Sequence, residues 1–224
     1  MQKLILFDID KTLIDRSQCH HDAFTNAFKE VYGVDITIDH INYHGMTDPQ
    51  IIMEVLGKKG LEESLIKSKS DECLKALANY FEKNVKNDNM QILKGVKELL
   101  KELDEYMVLM GLVTGNIEPI AWGKMKKLGI NRYFKVGGFG SDDINRTVLV
   151  KTAIKRAQNN YGFSGETFVI GDTPKDIKAG FEANAKTIAV ATGIYSITEL
   201  ENSGADYVFR SLEDKEEILD IILK

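Results

Sequence analysis

Short apolar segments alternate with helix-like segments along most of this 224-residue chain. The apolar segments are rich in β-branched and aromatic residues, which is typical of strands. They comprise residues 4–7, 106–113, 134–136, 168–170, 187–190 and 207–209. Between most of them, apolar residues recur at helical spacing, for example at positions 96, 99, 100 and 103. This alternation predicts an α/β fold in which a parallel sheet carries helices on both faces.

The interval of residues 16–88 breaks the alternation, because it contains no convincing strand. Several of its apolar residues share a helical face, and Thr47, Asp48 and Pro49 are typical of a helix start. Residues 61–81 predict one or two further helices. We therefore expect a core of residues 1–15 and 89–224 and an inserted helical cap of residues 16–88. The connections should lie near residues 14–17 and 86–94.

Composition argues against several classes of partner. The net charge is −5 and no basic block is present, so we expect no binding to nucleic acid. No segment approaches the ~20 apolar residues that a membrane span needs, and the N-terminal apolar run is too short for a signal peptide. The two cysteines, Cys19 and Cys73, are far apart and are expected to be free thiols. We expect a cytoplasmic protein, either a monomer or a homodimer.

Two carboxylates follow the first predicted strand directly. Asp8, Asp10 and Thr12 occupy alternate positions, and side chains two apart on an extended segment point the same way. Two like charges held so close raise one pKa unless a cation lies between them. The pair therefore indicates a metal site, an acid/base pair, or both.

Three more polar clusters follow predicted strands or precede helices, at the sheet edge where ligands bind in open α/β folds. They are Thr114-Gly115-Asn116, then residues 141–146 ahead of the helix that carries Lys151, then residues 171–176 with Asp172 and Asp176. Several carboxylates at one edge form a hard oxygen site that suits Mg²⁺. Together with a hydroxyl and a basic side chain, they suit phosphoryl transfer through an aspartyl-phosphate.

In this order, the four clusters resemble the motifs of the haloacid dehalogenase superfamily of hydrolases. They read Asp8-Ile-Asp10-Lys-Thr12, Thr114-Gly115-Asn116, a basic residue, and Gly171-Asp172-Thr-Pro-Lys-Asp176. The resemblance covers the whole chain, because residues 16–88 fall where this family places a helical cap. It implies a Rossmann-like core and a Mg²⁺-dependent phosphatase.

The resemblance implies specific roles for the first motif. Asp8 is the nucleophile that attacks phosphorus. Asp10 is the general acid for the leaving alcohol and then the base that activates water, duties that call for a pKa above that of a free carboxyl. Thr12 orders the phosphate-binding loop. Lys11 stands where many members have glycine, and the site tolerates it if its side chain points to solvent.

The later motifs receive roles in the same way. Thr114 binds the transferring phosphoryl group together with backbone N–H groups around Gly115 and Asn116. Asp172 is a Mg²⁺ ligand beside Asp8 and the backbone carbonyl of Asp10, and Asp176 supports the metal directly or through water.

The basic residue of the third motif has two candidates. Arg146 lies 26 residues before Asp172, just ahead of the predicted helix, whereas Lys151 lies 21 residues before it and inside the helix. We favour Arg146, although its planar guanidinium is not equivalent to a lysine point charge.

The predicted cap holds further candidates. The loop His44-Gly45-Met46-Thr47-Asp48 resembles the substrate-facing cap loop of phosphoglycolate-phosphatase-like members, which makes Gly45 and Thr47 candidate substrate contacts. Simple capping of the following helix is the alternative. His20 and His21 cannot both face one ion, because helical neighbours point about 100° apart, and we predict them on the surface.

The resemblance thus predicts hydrolysis of a small phosphomonoester, a phosphoglycolate-like compound among the candidates, with a small phosphorylated metabolite as the partner. A β-phosphoglucomutase-like phosphomutase shares this chemistry. A phosphonate hydrolase would need a cap lysine, for which Lys58, Lys59, Lys67 and Lys69 are available. A non-catalytic phosphate-binding regulatory protein is the alternative from a different class.

Overall fold

The computed structural model describes residues 3–224. Within them a single sheet of six parallel strands has the order β3-β2-β1-β4-β5-β6. The strands are β1 (Lys3–Phe7), β2 (Leu109–Thr114), β3 (Phe134–Phe139), β4 (Glu166–Gly171), β5 (Lys186–Val190) and β6 (Tyr207–Phe209). The predicted α/β fold with a parallel sheet is confirmed.

Ten α-helices accompany the sheet in the described part of the chain. They are α1 (Gln18–Tyr32), α2 (Asp48–Lys58), α3 (Glu63–Ser68), α4 (Ser70–Asn84), α5 (Val96–Glu105), α6 (Glu118–Lys127), α7 (Arg146–Tyr161), α8 (Pro174–Glu182), α9 (Ile197–Asn202) and α10 (Lys215–Leu223). Short 3₁₀ turns occupy Ile38–His40, Val85–Asn87 and Asn131–Tyr133. None of the helices within residues 3–224 combines the length and apolar character that crossing a membrane requires.

Strand β1 is buried on both faces, as expected for the centre of a parallel sheet. Ile5 and Phe7 belong to one apolar cluster, whereas Leu4 and Leu6 belong to a second cluster on the opposite face. Alternation of side chains along a strand produces this division. Helix α7 covers the second cluster through Leu149, while the first cluster continues into the helices that follow β1.

Several element boundaries differ from the prediction, among them those of β2, β3 and α7. The second strand begins at Leu109 rather than at residue 106, because α5 runs to Glu105 and Met107 turns the chain with a φ of 52°. The third strand extends beyond residue 136 to Phe139. Helix α7 starts at Arg146 itself, because the side chain of Asn145 accepts a hydrogen bond from Thr147 N at 3.0 Å and caps the helix.

Helices α1–α4 form the insertion between β1 and β2, and 61–81 contains two helices. The two connecting segments run side by side, with Asp15 N donating to Gln91 O at 2.9 Å and Leu93 N donating to Leu13 O at 3.0 Å. Ser17 also donates to Asp88 at 2.6 Å. The division into domains at residues 15/16 and 88/89 stays a prediction, and residues 1–2 of the predicted core lie outside the described residues.

Candidate active site

The carboxyl ends of β1, β2 and β4 meet at one edge, because these three strands are neighbours in the sheet. Phe7 pairs with Leu112 on one side and with Ile170 on the other. The residues that follow them therefore converge, and Asp8, Thr114 and Asp172 line one cavity of about 130 Å³.

Three buried carboxylates form a cluster at this edge. Asp8, Asp172 and Asp176 each offer one oxygen, and these oxygens lie within 4.8 Å of one another. Asp176 is fixed at the start of α8 by Thr173, whose hydroxyl donates to it at 2.6 Å and whose backbone N–H donates at 3.1 Å. Thr12 is fully buried and donates to Asp172 at 3.3 Å, so its side chain supports the acidic cluster.

Arg146 is the cation that reaches these carboxylates. Its guanidinium pairs with Asp8, and its Nε lies 2.7 Å from an oxygen of Asp176. Its position as the first residue of α7 aims the side chain at the sheet edge, whereas Lys151 is exposed one turn further on. The geometry supports Arg146 as the basic residue of the third motif.

The positive charge of Arg146 is too small to balance the three carboxylates of the cluster. Three carboxylates face one guanidinium, which leaves two negative charges unbalanced if all three ionise. Burial raises the pKa of Asp8 well above its usual range, and Asp176 and Asp172 add to this against the opposing effect of Arg146. Burial, with the charge of Asp176, likewise raises the pKa of Asp172 to about 7. A small divalent cation among these oxygens would supply the missing charge, and oxygen donors suit Mg²⁺.

The carboxylate of Asp10 turns away from this cluster. Lys124 Nζ donates to its two oxygens at 2.6 and 2.7 Å, and Asn116 Nδ2 donates at 2.9 Å. Partial burial raises the pKa of Asp10, but Lys124, His20 and Asn116 together lower it below its ordinary value. The expectation of a raised Asp10 pKa is therefore wrong for this state, because a buried ammonium is its direct partner.

Lys124 was missed by the sequence reasoning, although a signal was present. It is completely buried on the face of α6 that also carries Ile120, Ala121 and Met125. A lysine at an apolar helical position must find a counter-charge, because a charged residue is almost never fully buried without one.

The loop after β2 supplies the phosphate-binding candidates. Thr114 is buried and its hydroxyl accepts from Asn116 N at 3.2 Å. Gly115 lies directly against the backbone of Met46 and Thr47, so a Cβ there would meet the Met46 carbonyl oxygen and lie 2.9 Å from Thr47 Cα. Gly115 thus allows the close approach of the inserted helices to the core.

The start of α2 is bound to this same loop. Asp48 N donates to Gly115 O at 2.8 Å, and Ile117 N donates to the Asp48 carboxylate at 2.8 Å. Thr47 and Gln50 form a reciprocal capping pair at the start of α2. Thr47 does not line the cavity, so its position supports helix capping rather than substrate contact. Gly45, with a φ of 67°, does line the cavity.

The two histidines of α1 are buried, which corrects the prediction of surface positions. His20 packs against Phe24 with ring centroids 5.1 Å apart, and its Nε2 lies 3.3 Å from Asp48. His21 contacts Asp39 through Nε2 at 3.0 Å. Both faces of α1 are covered, so neighbouring residues can both be buried while pointing in different directions.

The cavity lining also includes basic side chains. Lys11, Arg16 and His44 are part of it together with His20. Lys11 adopts a φ of 67°, a conformation that favours glycine, and its ammonium pairs with the exposed Asp15. Burial lowers the pKa of His44, and the nearby charges of Lys11 and Lys175 add to this effect.

Residues 5–190 match the model of the haloacid dehalogenase-like hydrolase family, and the chain belongs to this family. It is 27% identical over 221 residues to pyrophosphatase PpaX of Halalkalibacterium halodurans, covering 97% of this chain and 95% of that protein. It is 25% identical over 247 residues to glyceraldehyde 3-phosphate phosphatase of Methanocaldococcus jannaschii, covering 99% and 97%. A predicted phosphatase from Clostridium acetobutylicum shares the fold, with a TM-score of 0.75, 19% identity and coverage of 98% and 99%.

Proposed function

We propose that this chain is a Mg²⁺-dependent phosphatase that hydrolyses a small phosphorylated substrate through a phosphoryl group carried on Asp8. The observation that supports this most directly is the buried carboxylate cluster at the sheet edge. Asp8 lines the cavity, is paired with Arg146, and lies within reach of Asp172 and Asp176.

The proposed reaction has two steps that share one proton carrier. An Asp8 oxygen attacks phosphorus and the bond from phosphorus to the leaving oxygen breaks. Asp10, protonated in the enzyme–substrate complex although its pKa is lowered in the free protein, gives its proton to that oxygen. A water oxygen then attacks phosphorus, Asp10 takes the proton of the water, and the bond from phosphorus to Asp8 breaks. The proton that Asp10 gives in the first step is thus balanced by the one that it takes in the second.

The oxygens of Asp8, Asp172 and Asp176 are the proposed Mg²⁺ ligands. When bound, the ion supplies positive charge to the phosphoryl oxygens and to the cluster itself. Thr114 and the loop of Gly115 and Asn116 are proposed to hold the phosphoryl group at the cavity floor.

The proposed substrate class rests on basic side chains in the cavity lining. Lys11 and Arg16 carry positive charge and line the same cavity as Asp8 and Asp172. We therefore propose a substrate with a second anionic group, such as phosphoglycolate or pyrophosphate, and the pyrophosphatase relatives favour testing the latter. The phosphonate alternative is disfavoured, since Lys58, Lys59 and Lys67 are exposed and Lys69 donates to Val31 O at 3.0 Å.

The test is phosphate release from p-nitrophenyl phosphate, phosphoglycolate, glyceraldehyde 3-phosphate and pyrophosphate, with Mg²⁺ or with chelator. Asp8→Asn should lower kcat by about a thousandfold or more while leaving the fold intact, because the nucleophile is lost. Asp71→Asn, at an exposed position of α4, is the matched control and should behave as wild type.

Equal kcat for the Asp8→Asn and Asp71→Asn proteins would contradict the mechanism. Wild-type turnover that persists in chelator would contradict the metal dependence. Phosphate transfer to a sugar phosphate without net release would favour the phosphomutase instead, and an absence of turnover on the whole panel would favour a regulatory phosphate-binding protein.

A further inference from the structure

Lys124 is a completely buried lysine whose ammonium has one partner within residues 3–224. That partner is Asp10, which receives hydrogen bonds from it on both carboxylate oxygens. A buried ammonium is costly to desolvate unless it is paired, so the pair with Asp10 offsets this cost.

Lys124 and the cavity lie on opposite sides of Asp10. The Asp10 side chain is 37% exposed and lines the cavity, whereas Lys124 is fully buried and does not. Lys124 therefore cannot touch a substrate in the cavity, and any effect it has on the chemistry passes through Asp10.

The pairing fixes the direction of the Asp10 carboxylate. Lys124 and Asn116 hold it on the side of α6, outside the oxygen cluster of Asp8, Asp172 and Asp176. Asp8 and Asp10 are only two residues apart, and both would otherwise be attracted to the same guanidinium or metal ion. Lys124 thus keeps the nucleophile and the acid/base carboxylate apart.

Tight packing of α6 against its neighbours fixes the position of Lys124. Gly123 lies directly against Phe81 of α4, where an added Cβ would lie 2.7 Å from the ring. Ile120 and Met125 are fully buried on either side of Lys124. The ammonium is therefore presented from a rigid, packed helix and not from a mobile loop.

We propose that Lys124 is a positioning residue that holds Asp10 for proton transfer, an inference that rests on the proposed function. It predicts that loss of Lys124 impairs the steps that need Asp10 and spares those that do not. Substrate binding and attack by Asp8 on an aryl phosphate belong to the spared steps, because nitrophenolate leaves without a proton.

The experiment compares Lys124→Met with Lys126→Met, a matched change at an exposed position of the same helix. With Mg²⁺ and p-nitrophenyl phosphate, Lys124→Met should lower kcat by about 100-fold, the usual contribution of a general acid or base, with KM no higher than that of wild type. In rapid mixing it should release one nitrophenolate per enzyme at the wild-type rate before slow turnover, because the phosphoryl group then stays on Asp8. Lys126→Met should match wild type throughout.

A double variant separates positioning from a structural role. Asp10→Asn and Asp10→Asn/Lys124→Met should have the same kcat if Lys124 acts through Asp10, because effects within one functional unit are not additive. A further loss of tenfold or more in the double variant would overturn the proposal, as would a wild-type kcat in Lys124→Met. If Lys124→Met alone does not fold, the comparison of Asp10→Asn with Asp10→Asn/Lys124→Met still tests the proposal. In the double variant the Asp10 carboxylate is replaced as well, so no buried carboxylate is left without its partner. The proposed function is tested separately, by the loss of turnover in Asp8→Asn relative to wild type.

Discussion

Asp172→Asn is expected to stabilise the metal-free protein while removing its response to Mg²⁺. Burial raises the pKa of Asp172 from 3.8 to about 7, a net change that includes the attraction of Arg146. At pH 8 the folded protein must hold this carboxylate ionised, which costs up to roughly 4 kcal/mol at 1.36 kcal/mol for each pH unit. Asparagine carries no charge and avoids this cost.

The pH dependence follows from the same pKa. The unfolded chain releases the Asp172 proton near pH 3.9, whereas the folded protein releases it near pH 7. Between these values folding takes up a proton, so the metal-free stability falls as pH rises through this window. We therefore expect the melting temperature in chelator to be higher at pH 5.5 than at pH 8, with a smaller difference in Asp172→Asn.

The assay is thermal unfolding with chelator or with excess Mg²⁺. If half of the cost is relieved, Asp172→Asn should melt about 5 °C above wild type in chelator at pH 8. Mg²⁺ at 100 times its Kd should raise the wild-type melting temperature by about 5–10 °C. The exposed Asp71→Asn serves as the control. A lower melting temperature for Asp172→Asn in chelator, or a full Mg²⁺ response in that variant, would refute the reasoning.

The remaining predictions concern the basic residue and the core loop. Arg146→Met should lose about 3–5 kcal/mol of stability in urea unfolding, because Asp8 and Asp176 lose their buried partner, and its phosphatase activity should largely disappear. Lys151→Met should match wild type in both measurements, and equal losses in the two variants would contradict the assignment. Gly115→Ala should cost about 1–3 kcal/mol through overpacking. It should also speed proteolytic cleavage within residues 43–50, and wild-type cleavage kinetics would show that the loop accommodates the extra methyl group.

Local sequence patterns predicted the parts of the site that lie at the carboxyl ends of strands. Asp8, Thr114 and Asp172 follow apolar strands, and neighbouring parallel strands end at one edge, so their convergence could be anticipated. Arg146 could be favoured over Lys151 as the basic residue because it lies just ahead of the predicted helix, whereas Lys151 lies inside it. The convergence needs only the chain direction and the position of each strand end, whereas the choice of Arg146 also used the resemblance to the motifs of the haloacid dehalogenase superfamily.

The missed features depend on contacts between distant elements. Lys124 is 114 positions from Asp10 in the chain, and only the packing of α6 beside the β1 loop brings the two together. His20 and His21 are buried because other segments cover α1 on two sides, which helical periodicity alone does not report. The lowered pKa of Asp10 has the same origin, since its partner lies outside its own motif.

The docking of Asp48 on the core loop has a thermodynamic consequence. Two hydrogen bonds join the start of α2 to Gly115 and Ile117, on either side of the Asn116 that contacts Asp10. Opening the inserted helices must break both bonds and release the loop proposed to bind phosphate. A ligand that orders this loop therefore favours the closed arrangement, and closure tightens ligand binding by the same factor. Ligand binding to this loop and closure of the inserted helices are therefore thermodynamically coupled.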